Sequence, residues 1–125
     1  MEEVVEKIKK IGGGRVKFVF LFGSVATGKN NKFSDVDLAV YYEGSEKERF
    51  DFRVKVMGKL GDKYDVKIFQ DLPLYLRADV LKGKLLYFSD RGFVYDVACE
   101  TLRRFGDFKK YVDDYVERRK ECLKN

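Results

Sequence analysis

The chain has 125 residues, of which 45% are hydrophobic and 38% charged, and its 26 basic and 21 acidic side chains leave a net charge of +5. That is one domain's length, and folding a chain of this size buries roughly two-thirds of its surface. A core rich in the eleven Phe and eight Tyr is therefore expected, without help from disulfides or a structural metal. The complete lack of histidine excludes Ser-His-Asp and Cys-His catalysis and any His-containing zinc site, leaving acid–base work to Asp, Glu, Lys or Tyr. Cys99 and Cys122 stand far apart and read as reduced thiols. The first residues lack the pattern of a signal peptide, and no apolar run is long enough for a membrane span, so a soluble cytoplasmic protein is expected.

In chain order, Val4, Val5, Ile8 and Ile11 form a helical stripe that Gly12-Gly13-Gly14 terminates. Residues 16–22 are almost continuously apolar, as in a strand covered on both faces. The stretch 25–34 is polar and reads as a short helical turn plus a loop, and 36–42 as a second strand. A charged helix is expected over 45–60, with Phe50, Val54 and Met57 on its buried side. A third strand over 66–69 is led in by Lys63-Tyr64-Asp65, with Val66 and Ile68 facing inward. Pro73 suits a helix start, with Leu72, Tyr75, Leu76 and Val80 as its stripe and Gly83 as its end. Residues 85–88 read as a short fourth strand. After a cap at Ser89-Asp90, helical patterns run to the end, with a break near Gly106-Asp107. The expectation is a single α/β domain over 1–125: a small sheet of three to four strands with helices packed on it (core about 14–90) and a helical tail (about 90–122).

Asp35 and Asp37 carry the chemistry. In a strand, residues i and i+2 share a face, so the two carboxylates project together and repel unless a cation lies between them. Magnesium, which accepts a few carboxylates together with water and phosphate oxygens, suits such a pair. Gly23-Ser24 lies at the carboxyl end of the first strand, where α/β sheets place ligands, and its backbone and hydroxyl can approach a phosphate. Asp65, opening the third strand, is placed to be a third carboxylate on the side of an incoming nucleophile. Lys67, two residues on, can share its face; it and the loop lysines Lys29 and Lys32 suit either a triphosphate or solvent.

Gly23-Ser24, ten intervening residues and Asp35-x-Asp37 resemble the signature of the DNA polymerase β-like nucleotidyltransferases. The match is sharpest to the minimal nucleotidyltransferase (MNT) domain proteins of antitoxin type. Leu21-Phe22-Gly23-Ser24-x-x-x-Gly28 and residues 34–40 look like that family's core blocks, and Tyr64-Asp65-Val66 like its third-carboxylate strand. The segment from Phe93-Val94-Tyr95 through Asp107-Phe108-Lys109-Lys110-Tyr111 is similar to its helical tail.

The resemblance implies a nucleotidyltransferase fold, ATP as substrate, and one or two Mg2+. It implies transfer of AMP to a hydroxyl, with Gly23 and Ser24 on the triphosphate and Asp35, Asp37 and Asp65 as metal ligands and catalytic residues. It further implies a HEPN-type toxin as partner, modified on a tyrosine. Two alternatives stay open: an antitoxin acting by occlusion alone, and transfer to a small molecule or RNA end. The length leaves no room for an acceptor-binding domain, so the acceptor is expected to come on another protein. Tyr95, Tyr111 and Tyr115 suit either that interface or core packing. The mild charge does not point to direct nucleic-acid binding.

Overall fold

The computed structural model describes residues 1–23 and 36–105. Among them, the elements in chain order are α1 (Glu2–Gly12), β1 (Val16–Phe22), β2 (Val36–Tyr42), α2 (Glu46–Leu60), β3 (Tyr64–Ile68), α3 (Leu74–Val80), β4 (Lys84–Phe88) and α4 (Arg91–Arg104). The expected turn over 25–34 and the tail beyond Gly106 lie outside the described residues. No helix among those described is long and apolar enough to cross a membrane.

The sheet is mixed, ordered β3-β2-β1-β4. β1 runs antiparallel to both β2 and β4, while β2 and β3, joined by the α2 crossover, are parallel. The α/β class and the four strands agree with the sequence reading.

Alternation along the strands divides the core in two. Val19 and Leu21 of β1, Val36, Leu38 and Val40 of β2, and Val66 and Ile68 of β3 pack under α1 and α2. Phe18, Phe20 and Phe22 of β1, with Ala39 of β2, pack under α3 and α4. An edge-to-face contact of Phe18 with Phe69, ring centroids 5.2 Å apart, lies at the centre of this second layer.

Helix α2 differs from expectation. Phe52 and Val56 are its buried residues, whereas Phe50 and Val54 are 60% and 52% exposed. Two apolar stripes at helical spacing occur on this helix, and tertiary packing selects one: Phe52 stacks on Tyr42 at 4.0 Å. Met57 is half-buried and packs at the border of that core. On α3, Ala78 and Val80 are buried while Tyr75 is exposed. β3 begins at Tyr64, so Asp65 lies inside the strand instead of before it.

The ends of α2 and α4 follow local chemistry. Ser45 and Glu48 form a reciprocal capping box at the start of α2. The Ser45 backbone N–H, and then Arg15, hold the Glu48 carboxyl below the usual carboxylate range. Asp90 caps α4 by accepting from the Gly92 N–H, as the sequence suggested. At the outer edge of β3, Arg53 of α2 donates from Nε to the Val66 carbonyl at 2.6 Å. Arg49 reaches Asp71 at 2.8 Å, and that carboxylate raises the Arg49 guanidinium above its ordinary value.

Candidate active site

Because β1 runs against β2 and β3, its carboxyl end meets their amino ends. Phe22 pairs with Asp37, and Asp37 lies in register beside Asp65 on the parallel neighbour. Adjacent strands are spaced by about 4.8 Å, so the two carboxylates start from neighbouring positions. Both alternate away from the α1/α2 core: Val36 and Leu38 flank Asp37, Tyr64 and Val66 flank Asp65, and these four belong to the opposite face. Asp37 and Asp65 are half-buried on the α3/α4 side.

Gly23 closes this corner. Its φ of +84° lies in the left-handed region, which a side chain disfavours. A Cβ added there would run into Oδ2 of Asp37. The glycine therefore serves two purposes: it turns the chain out of β1 and leaves space for the Asp37 carboxylate. Gly83, just before β4, makes a comparable close approach, since a Cβ there would collide with the Leu21 carbonyl oxygen. Sequence reasoning took Gly83 only as a helix terminator; the signal for its second role is its position directly before a strand that pairs with β1.

Of the predicted site residues, the fold brings together Gly23, Asp37 and Asp65. Ser24 and Asp35 lie outside the described residues, as do Lys29 and Lys32. Lys67 shares the face of Asp65, with Nζ 3.0 Å from Oδ2, and the two side chains are 33% and 29% exposed. The donor set suits a hard divalent cation: two carboxylates side by side, one of them already holding a cationic group. Among the described residues no three acidic, His or Cys side chains converge on one point.

Comparisons with known proteins identify the family. The family described as Polymerase beta, Nucleotidyltransferase matches residues 6–92. The chain belongs to that family. It is a nucleotidyltransferase. It is 32% identical over 103 residues to the Methanocaldococcus jannaschii protein named "Putative protein adenylyltransferase MJ1547", covering 82% of this chain and 75% of that one. Its fold is similar to a chain in the crystal structure of a toxin–antitoxin with AMP-PNP (TM-score 0.68, 18% identity, 93% and 95% of the two chains covered). It is also similar to a chain in a structure of a tri-AMPylated Shewanella oneidensis HEPN toxin in complex with MNT antitoxin (TM-score 0.61, 17% identity, 93% and 92% covered).

Proposed function

We propose that this nucleotidyltransferase moves AMP from ATP to a tyrosine hydroxyl of a HEPN-type partner toxin, and so acts as its antitoxin. The observation that carries the reading is the in-register pair Asp37 and Asp65 beside the left-handed Gly23. An adenylyltransferase named among its relatives, and a fold shared with the AMPylated toxin–antitoxin complex, support the acceptor class.

In this reading Asp35, Asp37 and Asp65 hold one or two Mg2+. When bound there, the ions would supply charge neutralisation at the phosphates and ease ionisation of the acceptor hydroxyl. Gly23 and Ser24 hold the triphosphate with backbone N–H groups and a hydroxyl. Asp65, on the outer strand, faces the acceptor and takes the hydroxyl proton. The tyrosine oxygen forms its bond to the α-phosphorus as the bond to the bridging oxygen breaks, and pyrophosphate leaves with that electron pair. In this reading the hydroxyl comes from the partner protein.

The test is transfer of label from α-32P-ATP with Mg2+ to a co-purified HEPN partner encoded beside this protein. Label on the partner, lost in Asp37→Asn, is expected. No label despite a tight complex would overturn catalysis and favour silencing by occlusion; label on an RNA end or a small acceptor would redirect the substrate class.

A further inference from the structure

Resting on the reading of Asp65 as a metal ligand, we infer that Lys67 is a built-in counter-cation that occupies Asp65 in the metal-free protein and must leave when a divalent ion arrives. Three observations carry this. Asp37 and Asp65 are register neighbours on one face, an arrangement whose mutual repulsion a positive charge beside Asp65 relieves. Lys67 supplies one, with its Nζ 3.0 Å from Oδ2 of Asp65. Both partners are more shielded than the surface pairs Arg15–Glu48 (51% and 48% exposed) and Lys47–Asp51 (85% and 53%), so this contact is less weakened by water.

Lys67 also has somewhere to go. It lines an open groove of about 750 Å3 along the β3 edge, between Phe50 and Arg53 of α2, Ile68 at the end of β3 and Leu72 beyond it. Glu46 and Asp71 line the same groove together with Lys47 and Arg53, so an ammonium released from Asp65 enters a charged, solvent-open edge instead of an apolar wall. Beside Lys67 in the sheet stands Ala39, whose small side chain leaves the inner flank of Lys67 uncrowded. Lys67 thus has two positions: on Asp65 without metal, and in the edge groove with it. As a positioning residue it keeps Asp65 oriented and offsets one of the site's negative charges, and divalent affinity is lowered by the competition.

The test is Mn2+ binding followed by electron paramagnetic resonance, with thermal unfolding measured in parallel. Lys67→Met keeps most of the unbranched side chain and removes its charge; it should tighten Mn2+ binding by about fivefold. It should also lower the melting temperature without metal and restore it with saturating Mn2+. Lys67→Arg should bind as the wild type does. In an Asp65→Asn background, Lys67→Met should change the affinity little, because the contested oxygen is gone. Unchanged or weaker binding by Lys67→Met, while Asp65→Asn still weakens binding, would overturn the counter-cation role and leave the metal site standing. Equal binding by wild type, Asp37→Asn and Asp65→Asn, or none by any of them, would overturn the metal reading and this inference with it.

Discussion

Gly23→Ala is the sharpest perturbation of the corner where β1 ends. Two separate costs can be worked from its geometry. Holding an alanine at φ +84° costs about 1–2 kcal/mol relative to glycine. In a domain of this size that is a drop of roughly 3–8 °C in melting temperature. The second cost falls on function: the added methyl overlaps Oδ2 of Asp37, and the carboxylate must rotate away. Displacing a reacting group by about 1 Å can cost on the order of a hundredfold in rate, so label transfer should fall by about that factor. Circular dichroism melting and transfer from α-32P-ATP read the two costs independently. An unchanged melting temperature would refute the backbone argument. Transfer within about threefold of wild type would refute the contact with Asp37, whatever the stability.

Other outcomes follow from the same geometry. Val56→Ala, in the buried stripe of α2, should destabilise by about 2 kcal/mol in urea unfolding, whereas Val54→Ser should stay within about 0.5 kcal/mol. Gly83→Ala places a methyl against the Leu21 carbonyl, which cannot swing aside as a side chain does; it should destabilise more than Gly23→Ala in the same melting experiment. Glu48 has its carboxyl pKa lowered in the folded state, so its contribution is present above the unfolded value and is lost as pH falls through the folded one. Glu48→Gln should therefore lose less melting temperature than wild type between about pH 5 and pH 3.

What could be read from the sequence was whatever local chemistry decides. The near-continuous apolar run of β1 could only be a strand covered on both sides, and it is one. The i, i+2 rule placed Val66 and Ile68 inward and put Lys67 on the face of Asp65. Asp90 announced the start of α4. The failures have a common cause in packing between distant segments. Phe50 with Val54 and Phe52 with Val56 have the same i, i+4 spacing, and periodicity cannot say which pair meets Tyr42. Tyr64 is drawn into β3 by pairing with Val36, a partner 28 positions away. Candidate residue types for a site were legible; what only the fold supplied was the alignment of Asp37 with Asp65, the space that Gly23 leaves for Asp37, and the closeness of Lys67.

Arg53 shapes how any macromolecule can approach. The strand that carries Asp65 is an edge strand, and such edges ordinarily invite another chain to extend the sheet. By taking the Val66 carbonyl, the guanidinium of Arg53 fills an acceptor that an added strand would require. If a protein delivers its hydroxyl to Asp65 as proposed, it is thereby steered away from main-chain zippering and toward side-chain contacts across the strand ends. The selectivity of such an encounter would then lie in the shape and charge of the visiting loop, and copies of this chain would have one fewer route to joining their sheets edge to edge.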